Sequence, residues 1–178
     1  MRRTKEQISL DKASDYAAFL QLATPLSPSE AILFCDAAGA RIIEGKNVCG
    51  IGVVSSTISD DGEHVLETVL EVCYESKHLN TQIAEALALQ HAILWCEENN
   101  GFDRYRIYSD NAYCIALFFE HHIGRPPFFS EIQKRMVNSP VAIKISVRHI
   151  PGRLNILADK VSREAILTTP KKIFKTEQ

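Results

Sequence analysis

The stretch from Ala31 to Tyr74 constrains the fold most. Three runs, Ala31-Ile32-Leu33-Phe34-Cys35-Asp36, Val48 to Ser56 and Val65 to Tyr74, have the apolar, β-branched texture of strands. Polar, glycine-containing turns, Glu44-Gly45-Lys46-Asn47 and Asp60-Asp61-Gly62-Glu63, separate them. Turns this short join antiparallel neighbours, because a parallel pair needs a long crossover. The stretch therefore predicts an antiparallel meander. Beyond it the texture alternates. Asn80 to Glu98 repeats Ile83, Ala84, Leu87, Ala88, His91, Leu94 and Trp95 at helical spacing and stops at Asn99-Asn100-Gly101. Arg104 to Ser109 reads as a strand, Ala112 to His122 as an apolar helix, and Pro127 to Val137 as another helix after the break at Gly124-Arg125-Pro126-Pro127. Val141 to His149 reads as a strand, Pro151-Gly152 as a turn, and Leu154 to Leu167 as a last helix. The order βββαβααβα predicts an α/β fold: a mixed sheet flanked by helices.

Ahead of this unit, Ile8, Leu10, Ala13, Tyr16, Ala17 and Leu20 recur at helical spacing, and Pro25 and Pro28 punctuate the segment after them. The expected division is an amphipathic helix and linker over 1–30, the folded domain over 31–168, and a flexible tail over 169–178. At 178 residues, 46% hydrophobic and 24% charged, one domain can bury a full core without disulfide or metal staples. No apolar run is long enough to span a membrane, and Met1-Arg2-Arg3-Thr4-Lys5-Glu6-Gln7 does not open a signal peptide, so a cytoplasmic protein with no membrane partner is expected. Five cysteines, Cys35, Cys49, Cys73, Cys96 and Cys114, stand far apart in apolar surroundings. They read as buried thiols, since zinc sites use closely paired ligands.

A net charge of −2 excludes a protein that coats nucleic acid through bulk charge, though not one with a local basic face. Lys144, Arg148, Arg153, Lys160 and Arg163 could form such a face or an ordinary solvated one. Phe118-Phe119-Glu120-His121-His122 is not read as a metal site, because adjacent histidines on a helix cannot face one ion.

Four acids are hard to explain structurally. Asp36 and Asp110 each end an apolar strand, Glu85 lies on the inner face of its helix, and Asp159 follows Ala158 one turn into the last helix. Singly, each has a bland reading: turn former, cap, edge residue or first-turn acid. Together they point to converging carboxylates whose repulsion hard divalent cations relieve.

At these residues the chain resembles the type 1 ribonuclease H family, in its compact, retroelement-like branch. The resemblance rests on Phe34-Cys35-Asp36-Ala37-Ala38-Gly39 with Val48-Cys49-Gly50-Ile51-Gly52, on Asn80-Thr81-Gln82-Ile83-Ala84-Glu85, on Ile107-Tyr108-Ser109-Asp110, and on His149-Ile150-Pro151-Gly152-Arg153-Leu154-Asn155 running to Ala158-Asp159. The resemblance implies a ribonuclease H-like α/β fold with a five-stranded mixed sheet, its first three strands antiparallel, and here an extra N-terminal helix. It also implies two Mg²⁺ ions, with Mn²⁺ able to substitute, and hydrolysis of the RNA strand of an RNA–DNA hybrid. Asp36, Glu85, Asp110 and Asp159 would be the metal-binding acids and His149 the proton-transfer residue. Ala37, Ala38, Gly39, Thr81, Gln82, Asn111, Arg148, Arg153 and Asn155 would contact substrate. The helix over 4–22 is left free to dock on the domain or on a protein partner.

The chain departs from that pattern at Ala37, where many members have glycine, and at Ala112, where a glutamine is frequent. The span from Asp110 to His149 is also too short for a long basic handle. Two other functions therefore stay open: a catalytically weak binding or scaffold module, and a DNA nuclease or 3′ exonuclease on a related fold.

Overall fold

The computed structural model describes residues 5–43, 46–76, 79–119, 130, 133–134, 138–168 and 171–172. Its elements are α1 (Lys5–Ala23), β1 (Glu30–Ile43), β2 (Lys46–Ile58), β3 (His64–Glu75), α2 (Thr81–Glu98), β4 (Arg104–Ser109), α3 (Ala112–Phe119), β5 (Ile145–His149), α4 (Ile156–Ala165) and β6 (Lys171–Lys172). The sheet order is β5-β4-β1-β2-β3-β6. The meander is antiparallel throughout, whereas β4 runs parallel to β1 and β5 parallel to β4. The five expected strands are joined by the two-residue β6, which pairs parallel to β3 at Tyr74 and Glu75. No helix among the described residues is long and apolar enough to cross a membrane.

The period of two along β1 divides the core. Ala31, Leu33, Cys35 and Ala37 face one side with Cys49, Ile51 and Val53 of β2, and there meet Ala84, Leu87 and Ala88 of α2. Small alanines let α2 lie close to the sheet, and Asn80 caps its start, its side chain accepting from the Ile83 N–H at 2.9 Å. Ile32 and Phe34 face the other side with Tyr108, Ile150, Ala158 and, from α1, Phe19 and Ala23. Phe19 sits 5.0 Å from Phe34, ring centre to ring centre, and Phe34 sits 5.2 Å from Tyr108. The N-terminal helix is therefore docked on this sheet face. With both faces covered, β1 can be an almost unbroken apolar run.

On that second face α4 lies against β1, β2 and β3, and two glycines set its depth. A Cβ on Gly50 would collide with the Ser162 carbonyl oxygen, and one on Gly52 would stand 2.6 Å from the Ser162 nitrogen. Any side chain there would push the helix away.

Some expected boundaries move. β1 does not end at Asp36 but continues to Ile43; what ends there is its pairing with β4, last seen at Phe34 opposite Tyr108. The strand expected from Val141 begins at Ile145, because Ala142–Lys144 forms a 3₁₀ turn, closed by the Lys144 N–H donating to the Val141 carbonyl and held by Lys144 Nζ donating to the Phe102 carbonyl at 2.9 Å. The last helix starts at Ile156 instead of Leu154, since Gly152–Leu154 is a separate 3₁₀ turn. The helix expected to reach His122 is described as far as Phe119. Of the helix expected over Pro127 to Val137, only Ser130, Gln133 and Lys134 are among the described residues, and they are helical. All five cysteines are buried and free, as expected.

Candidate active site

The parallel strands β1 and β4 separate just past their last pair, and each carries an acid into the gap: Asp36 within β1, Asp110 directly after β4. Crevices of this kind, at the carboxyl ends of parallel strands, are where open α/β sheets bind ligands. Glu85 enters from the second turn of α2. One carboxylate oxygen from each of Asp36, Glu85 and Asp110 lies within 4.8 Å of the others. Two ionised carboxylates at that spacing repel by about 3 kcal/mol even at an effective dielectric near 20.

The titration of the cluster records this strain. Burial pushes Asp36 up to about 6, with the charges of Asp110 and Asp159 adding to it against the hydrogen bond from Ser162. Burial pushes Glu85 up to about 8, reinforced by Asp36 and Asp110 and opposed by hydrogen bonds from the Asn111 side chain and the Ala37 N–H. Among the described residues, the ion pairs leave these three acids out. An all-oxygen set of crowded carboxylates suits a hard divalent cation, so the residues present fit such an ion.

Asp159 stands beside the cluster and not in it. Its Oδ1 takes Arg163 Nη2 at 2.7 Å and Nε at 2.9 Å, while its charge still reaches Asp36. His149, the exposed last residue of β5, directs Nε2 at the Asp110 carbonyl oxygen, 3.2 Å away. The ring thus stands at the rim of the acid cluster.

The expected substrate residues divide by exposure. Thr81, Gln82, Arg148 and Arg153 are exposed, Gly39 is partly buried beside Thr81, and Ala37 and Ala38 are buried in β1. Asn111 is partly buried and works inward: its Oδ1 accepts the Cys114 N–H at 2.9 Å, capping α3, while its side chain reaches Glu85. Asn155 corrects the expectation of a substrate contact. It is fully buried, and its Nδ2 donates to the Cys35 carbonyl at 3.0 Å and to Asp110 Oδ1 at 3.4 Å, with Oδ1 unpartnered among the described residues. Its amide braces Asp110 from behind. Gly152 leaves the carboxylate room, for a Cβ there would lie 2.7 Å from Asp110 Oδ2.

Of the basic residues, Lys144, Arg153 and Arg163 are held by the Phe102 carbonyl, Asp15 and Asp159, and Lys160 lies 3.9 Å from Glu164. Glu120, His121 and His122 lie outside the described residues.

Sequence reasoning passed over Ser162, whose hydroxyl donates to Asp36 Oδ2 at 2.6 Å. The signal for it was its place three residues after Asp159, one turn along the same helix face.

No family model matches the chain, and no curated protein is similar to it by sequence. Solved structures are similar to it. The RNase H1 of the halophilic archaeon Halobacterium salinarum matches with a TM-score of 0.56 at 20% identity, covering 77% of this chain and 97% of that one. LC11-RNase H1 in complex with an RNA/DNA hybrid matches with a TM-score of 0.56 at 19% identity, covering 76% and 96%. The RNase H domain of PFV matches with a TM-score of 0.54 at 16% identity, covering 77% and 94%. The chain has the ribonuclease H-like fold.

Proposed function

We propose that this protein is a ribonuclease H, a metal-dependent endonuclease that hydrolyses the RNA strand of RNA–DNA hybrids, with its catalytic unit in residues 31–168. One observation carries the reading: within a ribonuclease H-like fold, Asp36, Glu85 and Asp110 converge to within 4.8 Å with no ion pair among the described residues to balance them. The similarity to a structure that holds an RNA/DNA hybrid supports the choice of substrate.

Asp36, Glu85 and Asp110 would hold divalent cations, two Mg²⁺ ions or Mn²⁺ in their place, with Asp159 joining when its carboxylate leaves Arg163. Bound there, such ions supply an activated water and neutralise charge on the leaving 3′ oxygen. The chain's own groups do the rest. The Ala37 N–H and the Asn111 side chain hold Glu85, while Asn155 holds Asp110 and Gly152 leaves its carboxylate room. His149, exposed at the end of β5, moves a proton at the rim. Glu85 and the backbone of Asp36 to Gly39 would read the 2′-hydroxyl that separates RNA from DNA. Thr81, Gln82, Arg148 and Arg153 are exposed and would make phosphate contacts, Arg153 on leaving Asp15. Five free buried thiols suit a reducing, cytoplasmic setting.

The test is incubation of the full chain with end-labelled RNA–DNA hybrid, double-stranded RNA and double-stranded DNA of one sequence, in Mg²⁺, Mn²⁺ or EDTA. The reading expects cleavage of the hybrid's RNA strand only, and only with metal. Equal cleavage of the DNA strand would make the protein a DNA nuclease. Hybrid binding without any cleavage would make it a scaffold module.

A further inference from the structure

Ser162 is fully buried, and its hydroxyl stands between two acceptors: Asp36 Oδ2 at 2.6 Å and the Asp159 carbonyl oxygen at 3.0 Å. It has one hydrogen to give. Its own backbone is also the point where α4 comes nearest β2, with Gly50 facing its carbonyl and Gly52 its nitrogen. The backbone that carries the hydroxyl is therefore held at a fixed distance from β2, and the bond to Asp36 holds the hydroxyl in its rotamer. We infer that Ser162 is a positioning residue for cation binding, fixing the Asp36 carboxylate in the orientation in which it meets Glu85 and Asp110. The inference rests on the reading of those three acids as cation ligands.

The lone pairs explain why this serves binding and does not block it. A carboxylate offers about four acceptor positions, and the hydroxyl takes one on Oδ2. Oδ1 and the remaining position on Oδ2 stay available, and rotation of the carboxylate is restrained. A short bond from a hydroxyl to an ionised carboxylate is strong, more so when shielded from water. If a cation draws charge away from Oδ2, the Asp159 carbonyl lies within reach as the second acceptor, so the buried hydroxyl keeps a partner with or without the ion. Asp159 and Ser162 occupy neighbouring turns of α4, so the seating of this helix on two glycines sets the position of both relative to Asp36.

The experiment is calorimetric titration of the full chain with Mn²⁺, without nucleic acid, on wild type, Ser162→Ala and Ser162→Cys, with a thermal melt of each. Groups that orient metal ligands typically contribute 10- to 100-fold in affinity. Ser162→Ala should weaken Mn²⁺ binding by about that factor, and Ser162→Cys, a weaker donor, should fall between. In hybrid cleavage the lost turnover of Ser162→Ala should return as Mn²⁺ is raised, with KM for the hybrid unchanged; a merely structural serine would not shift the metal dependence. A folded Ser162→Ala with an Mn²⁺ affinity within about twofold of wild type would overturn the inference. Should that variant fail to fold, wild-type affinity in Ser162→Cys would overturn it instead, and weakened affinity would support it. If wild type itself binds no Mn²⁺, the cation reading of the site falls and takes this inference with it.

Discussion

Two buried acids on one strand have opposite fates. Glu30 and Asp36 lie six positions apart on β1, hence on the same face, and are 2% and 6% exposed. Burial therefore does not separate them; their partners do. Burial would push Glu30 up, but Arg106 donates to both its oxygens at 2.9 Å, the Leu26 N–H donates at 2.7 Å, and Arg104 adds its charge, so its carboxyl ends below the ordinary value. Asp36 has a serine hydroxyl and three acidic neighbours, Glu85, Asp110 and Asp159, and it is pushed up to about 6. The first end of β1 is neutralised from within the chain. Around Asp36 no cation of the chain does so among the described residues. A buried acid with its cation built in stabilises the fold, whereas one with its cation left out marks a site.

This contrast can be broken most severely at Asp36. Asp36→Asn should lower hybrid cleavage by at least about 10³-fold, because metal-ion charge stabilisation is worth several kcal/mol. The same variant should melt no lower than wild type without metal, since it removes repulsion. Substantial residual turnover in a gel assay would refute the assignment. At the other end Glu30→Ala should cost about 3–5 kcal/mol in urea unfolding, as expected when a buried ion pair loses one member and strands the other. Turnover per folded molecule should not change, and an unfolding free energy equal to wild type would show that Arg106 finds another partner.

His149→Ala sits between these extremes. It should reduce turnover by about ten- to a hundred-fold, given that general acid–base groups contribute roughly 10²–10⁴-fold and that cation-bound acids remain. Steady-state kinetics at saturating Mg²⁺ checks this, with metal affinity unchanged; lost metal binding would make His149 a ligand.

The smallest effect distinguishes the two ends by pH. Asp36 and Glu85 titrate higher folded than unfolded, so the folded state holds more protons; their contribution is complete below about pH 4 and is lost as pH rises through about 6 and 8. Glu30 has the opposite sign: its contribution is present above its unfolded value and is lost as acid protonates it. In EDTA the melting temperature should fall by several degrees between pH 5 and pH 9, and millimolar Mg²⁺ should flatten that slope, because a ligand of the folded state stabilises it. A flat profile in EDTA would mean that the three carboxylates do not crowd as described.

The five main strands and the helices α1, α2, α3 and α4 were legible in the sequence, while β6 and the two 3₁₀ turns were not. Short turns forced the antiparallel meander, the periodicity of Ile83, Leu87 and Leu94 produced α2, and four acids at element ends marked the candidate site. These are local signals, carried by spacing along the chain. Tertiary packing alone settled the contacts between segments far apart in sequence. Asp36 and Ser162 are 126 residues apart, Asn155 and Cys35 are 120 apart, and Arg153 reaches Asp15 across 138. No periodicity encodes such pairings. The same holds for Asn155, a polar residue near the start of the expected last helix that packing buries, and for Asp159, whose carboxylate pairs with Arg163. Spacing specifies which face a side chain takes, while its partner depends on how closely two elements pack, and here Gly50 and Gly52 set that distance for α4.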